Sequence, residues 1–85
     1  MKGLLFSLSN CIKCEAVKRE LDKNIVIIEY SNDIKHWKDD EIKFAKKHDV
    51  FDDLKRTAPI LVYENGEKII GQLRILKRVR DEKKI

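Results

Sequence analysis

Lys2-Gly3-Leu4-Leu5-Phe6-Ser7-Leu8-Ser9-Asn10-Cys11-Ile12-Lys13-Cys14 sets an apolar run, a polar break and a pair of cysteines end to end. A short apolar run bounded by turn-forming residues reads as a buried strand, here Lys2 to Leu8. Ser9 and Asn10 both suit a helix N-cap, because their side chains can accept from the free N–H groups of a first turn. The spacing predicts a helix from Cys11 to about Lys23, with Cys14, Val17 and Leu21 along one stripe and Lys18, Arg19, Glu20 and Asp22 turned mostly to water.

Outward from this segment, Ile25 to Tyr30 is nearly all apolar and β-branched, as expected of a strand covered on both faces. Within Ser31 to Asp40, Ile34 and Trp37 predict a turn of helix that tucks two apolar side chains under the domain. A second helix is expected over about Asp40 to His48, with Ile42 and Ala45 as its core stripe and Phe44 beside it. Val50, Phe51 and Leu54 fall in a connection without a clear period, where Phe51 and Leu54 offer a small apolar docking surface. Pro59 opens a third strand, Ile60 to Glu64. Asn65-Gly66 is the two-residue signal of a type I′ hairpin into Glu67 to Ile70. Gly71 ends that strand, and Leu73, Leu76 and Val79 fall on one side of a closing helix that reaches about Glu82. The expected order is β-α-β-α-β-β-α in one α/β domain over residues 1–85, a four-stranded mixed sheet with helices on both faces.

Bulk properties bound the function. A chain of 85 residues has room for one core. Charged residues make up 40% of it, which excludes a membrane-embedded class. The apolar start is broken by Ser7, Ser9, Asn10 and Lys13 before it reaches signal-peptide length, so a cytoplasmic location is expected. Lys and Arg total 19 against 15 Asp and Glu, a formal net charge of +4, and the two signs mostly alternate as on a solvated surface. The one basic run, Lys77-Arg78-Val79-Arg80 with Lys83 and Lys84, is interrupted by Asp81 and Glu82 and carries no aromatic platform. No nucleic-acid partner is expected from it.

The chemistry rests on the only two cysteines, Cys11 and Cys14. A bridge closing so short a loop removes little entropy from the unfolded chain, so reactivity explains the pair better than stabilisation. At the first turn of a helix, Cys11 has free N–H groups and the positive dipole end beside it, which favour the thiolate, and Lys13 acts in the same direction. Cys14, one turn deeper, is the natural resolving thiol. The competing reading is a metal or iron-sulfur carrier. Cys-x-x-Cys is half of many zinc centres, but His36 and His48 lie outside the usual spacing for the other half, and no metal site is assigned. A cluster shared between two chains needs only one or two cysteines from each, so that carrier stays open.

The motif directly after a strand and heading a helix, followed by Thr57-Ala58-Pro59 before Asn65-Gly66 and Gly71, resembles the glutaredoxin branch of the thioredoxin-fold family. The resemblance spans nearly the whole chain. It implies a monomeric, cofactor-free disulfide oxidoreductase acting on disulfide-containing proteins, with Cys11 as nucleophile and Cys14 as resolving thiol. In that family the proline is cis and packs against the cysteines. Carried over, this makes Pro59 a substrate-site residue, with Thr57 before it and the backbone of Ala58 free to pair with substrate; the residues alone leave the isomer of the Ala58-Pro59 bond open. The chain departs from the family at Ile12 and Lys13, where glutaredoxins usually carry proline and an aromatic. It also has Gln72, Leu73 and Arg74 where glutathione-binding members tend to have a second glycine and acidic residues. The upstream reductant is therefore either glutathione or a thioredoxin-reductase-like flavoenzyme.

Overall fold

The computed structural model describes residues 2–83. Strand β1 (Gly3–Leu8) leads into helix α1 (Ile12–Lys18) and strand β2 (Ile25–Tyr30). A 3₁₀ turn (Ile34–His36) follows, then helices α2 (Asp39–Lys47) and α3 (Phe51–Arg56), strands β3 (Ile60–Tyr63) and β4 (Lys68–Ile70), and helix α4 (Gln72–Lys83). The strands form one mixed sheet in the order β2-β1-β3-β4, with β1 parallel to β2 and antiparallel to β3, and β4 antiparallel to β3.

Alternation along the strands sorts the core into two layers. Phe6, Ile60 and Val62 pack on one face with Ala45 of α2, Leu54 of α3, Tyr30 and Trp37. Leu5, Leu61 and Tyr63 pack on the other with Val17 of α1 and Ile75, Leu76 and Val79 of α4. The period-two pattern of β1 thus feeds both layers from adjacent residues. On the first face Trp37 stands edge-on to Tyr30 at 5.0 Å. Its Nε1–H donates to the Ser31 carbonyl at 2.6 Å, and the Tyr30 hydroxyl donates to the Glu41 carbonyl at 2.7 Å. Both aromatics therefore bury their rings while their polar atoms stay paired.

Several sequence expectations are corrected. Helix α1 ends at Lys18 rather than near Lys23. Its last hydrogen bonds tighten to a 3₁₀ pattern (Glu20 N–H to Val17 O, 3.0 Å), and the Asp22 carboxylate then accepts from the Asn24 N–H at 2.8 Å to make a turn. Leu21 still packs on the α1–α4 layer. Strand β2 is an edge strand and is not covered on both faces: Val26 and Ile27 are 57% and 45% exposed. Trp37 is buried as expected, but Ile34 is exposed.

The connection at Val50–Leu54 is a helix, α3, preceded by Asp49 in the left-handed region (φ 57°). Leu54 is core and Phe51 lies under Lys46 and Lys55, so neither forms a free docking surface. The hairpin turn is not type I′. The Gly66 N–H donates to Tyr63 O at 2.9 Å, and only Gly66 takes a positive φ, the signature of a type I turn closed by a left-handed glycine. In α4 the buried stripe is Ile75, Leu76 and Val79, and Leu73 is turned out.

Ion pairs tie the periphery together. Arg78 pairs with Glu67 and Glu82, Arg80 with Glu20, and Lys18 with Glu15 and Glu29. Much of the basic run near the C-terminus is thereby engaged with carboxylates of the same chain; its Lys84 lies outside the described residues. No helix among the described residues is long and apolar enough to cross a membrane.

Candidate functional site

The site begins where β1 runs out. The Ser9 N–H donates to Tyr30 O at 2.8 Å and carries the parallel pairing one residue past the strand, after which Asn10 turns the chain through a left-handed conformation (φ 52°). Asparagine tolerates that region because its side chain is short and polar. Neither Ser9 nor Asn10 caps the helix. The Ser9 hydroxyl instead accepts from the Asn32 N–H at 3.0 Å, fastening the chain beyond β2 to the end of β1. The N-cap is Cys11 itself, whose extended backbone (φ −114°, ψ 107°) aims Sγ back at the first turn, where it accepts from the Cys14 N–H at 3.1 Å.

Cys11 and Cys14 are bonded to each other, with Cα atoms 5.2 Å apart. Their environments differ. Cys14 has no exposed surface and belongs to the α2–α3 layer of the core, whereas Cys11 is partly exposed and only packs against that layer. Val17, one turn further on, belongs to the opposite layer, so α1 enters across the end of the sheet. Because the first-turn N–H groups and the positive helix end converge on Cys11, negative charge at its sulfur is favoured over negative charge at Cys14.

Thr57, Ala58 and Pro59 come to the same end of the molecule. Thr57 caps α3 with its N–H on Asp53 O at 2.9 Å and then runs extended. The Ala58-Pro59 bond is cis. Ala58 lies in the same buried cluster as Cys14, Pro59 is fully buried, and the Pro59 carbonyl accepts from the Gly71 N–H at 3.0 Å. Among the described residues no backbone hydrogen bond engages Ala58. An open cleft of about 370 Å³ beside the pair is lined by Lys13, Thr57, Ile70, Gly71, Gln72, Leu73 and Arg74.

No family model, curated protein or solved structure matches this chain. The chemistry must be argued from the arrangement itself, an α/β fold with a four-stranded mixed sheet and a Cys-x-x-Cys pair at a helix start, which fits a thioredoxin-like fold.

The two histidines stand apart from the pair. His36 is exposed, and His48 stands edge-on to Phe44 at 4.6 Å and near Phe6. Among the described residues no group of three or more His, Cys, Asp or Glu side chains is placed to hold a metal ion. The sequence sets Gln72, Leu73 and Arg74, in the first turn of α4, where glutathione-binding members carry their own motif, but does not show that they share a cleft with Lys13 and Thr57. Leu73 fits the helical stripe by spacing alone, and only its place two residues after Gly71, in a turn that begins at the sheet end, distinguishes it.

Proposed function

We propose that this protein is a thiol-disulfide oxidoreductase of the glutaredoxin-like, thioredoxin-fold type, which reduces disulfides in proteins through Cys11 and Cys14. One observation carries the reading: Cys11, a partly exposed residue, caps a helix through its sulfur and is bonded to a fully buried partner three residues on. That asymmetry separates an attacking from a resolving thiol.

The Cys11 thiolate attacks one sulfur of the substrate disulfide. A Cys11–substrate disulfide forms as the substrate S–S bond breaks, and the departing thiolate takes a proton. The Cys14 thiolate then attacks the Cys11 sulfur, the Cys11–Cys14 disulfide forms, and the second substrate thiolate leaves and is protonated. Two electrons and two protons pass from the dithiol to the substrate. A thiol reductant, either glutathione or a flavoenzyme relay, returns them. Thr57, Ala58 and Pro59 shape the surface on which the substrate segment lies, with the unengaged backbone of Ala58 as its hydrogen-bonding partner. No resident cofactor enters either step.

The experiment is insulin-disulfide reduction by the wild type and by Cys11→Ser, alongside equilibration of the pair against dithiothreitol buffers with free thiols counted. The expected result is turnover that Cys11→Ser abolishes and a reversible two-electron transition at roughly −200 to −270 mV. Failure to form the intramolecular disulfide at any poise, together with metal bound at about one equivalent, would overturn the reading in favour of a metal or cluster carrier.

A further inference from the structure

Among the described residues the two most exposed large apolar side chains are Ile12, 88% exposed, and Leu73, 80% exposed. They come from opposite ends of the sequence, yet Ile12 directly follows the attacking cysteine, and Leu73 lines the cleft that Lys13 opens beside it. Apolar side chains standing in water around a reactive sulfur are the usual mark of a surface that a partner covers. Single exposed leucines need no explanation, but Ile12 adjoins the attacking cysteine in the chain and Leu73 shares a cleft with Lys13, the next residue on.

The charges at this rim have one sign. Lys13 and Arg74 line the cleft and no carboxylate does. Neither cation has an ion-pair partner among the described residues, whereas Lys18, Lys55, Lys68, Arg78 and Arg80 all do. The Arg74 backbone also lies in the first turn of the twelve-residue helix α4, which has no acidic residue there, so the helix end adds to the positive field.

We propose that Ile12, Leu73, Lys13 and Arg74 select protein disulfides whose reactive cysteine is flanked by an acidic and an apolar side chain. This rests on the oxidoreductase reading and names its substrate class. The apolar pair takes the partner's apolar residue, and the two cations take its carboxylate on the cleft side of the sulfur. Charge complementarity also speeds the encounter, so the preference is salt-dependent.

The test uses two peptide disulfides, identical except that one carries glutamate and the other lysine next to the cysteine, each with a leucine on the other side. The kcat/KM ratio, acidic over basic, is measured for the wild type and for Arg74→Glu at low and high salt. Because it is taken within one preparation, differences in folded fraction cancel. A wild-type ratio of about tenfold is expected from two surface ion pairs. It should shrink toward unity at about 1 M salt, where the Debye length is about 3 Å, and Arg74→Glu should cut it several-fold. Equal kcat/KM for the two peptides, or a preference for the basic one, overturns this inference and leaves the oxidoreductase reading standing. No exchange with either peptide overturns both.

Discussion

The Cys14 N–H donates to the Cys11 sulfur at 3.1 Å, so the resolving residue's own backbone helps to hold charge on the attacking one. A hydrogen bond that strengthens on ionisation of its acceptor favours the ionised form. Cys14 gains nothing comparable, since its side chain has no exposed surface. In the reduced protein, iodoacetamide at neutral pH should therefore alkylate Cys11 at least roughly tenfold faster than Cys14. Mass mapping of partially alkylated protein reads the ratio, and equal labelling would remove the assigned roles.

Cys14→Ser should convert a catalyst into a trap. Without the second thiol the Cys11–substrate disulfide has no internal route to resolution, so a covalent adduct that dithiothreitol releases should accumulate with a disulfide-bearing protein. The serine hydroxyl enters a fully buried site, which costs about 1–3 kcal/mol where no partner is found. The adduct is therefore scored on protein shown to be folded by circular dichroism. Cys11→Ser should form no adduct, and one of equal yield would reverse the order of attack.

Gly3 should not accept a side chain. A Cβ there would stand 2.8 Å from the Val62 carbonyl oxygen and 3.2 Å from Tyr63 Cα, backbone atoms of the adjacent strand that cannot swing aside. Gly3→Ala must push β1 from β3 in the middle of the sheet, at an expected loss of about 1–3 kcal/mol. Urea denaturation measures it, and an unchanged midpoint would mean that the strands yield freely.

These positions also show what the sequence could reveal. Leu4, Leu5 and Phe6 followed by Ser9-Asn10 marked the β1–α1 junction, because burial and chain reversal both leave a local trace. The β2 boundaries were legible for the same reason. Its position was not: Val26 and Ile27 look like interior residues, and their exposure follows from strand order, which no local pattern encodes. Helix α3 was missed because six residues hold too little period to see and no side chain caps it. The cysteines and Thr57-Ala58-Pro59 were readable as motifs. Ile12, Leu73 and Arg74 were legible as departures from the family pattern, but the exposure of Ile12 and Leu73 and the cleft that Lys13 shares with Leu73 and Arg74 depend on how the helix starts are placed, which no local pattern encodes.

Alkaline stability should report on Tyr63. Burial, then the hydrogen bond from its hydroxyl to Glu82 Oε1 at 2.9 Å, pushes its phenol up from 10.0 to about 12, with Glu67 acting in the same direction and Arg78 opposing. In the unfolded chain the phenol ionises near its ordinary value, so the unfolded state binds fewer protons between those two values and stability falls as pH rises. The contribution is fully present below about pH 10 and is lost as pH climbs through about 12. Tyr30, raised chiefly by burial, acts in the same direction. So does Lys68, raised chiefly by its hydrogen bond to Asp53. Tyr63→Phe should flatten the alkaline decline and remove from an absorbance titration of the folded protein the share of late tyrosinate that Tyr63 contributes, leaving that of Tyr30. If all tyrosinate forms near pH 10 while the protein is still folded, the phenol is not held as the structure indicates, and the Tyr63–Glu82 contact does not persist in solution.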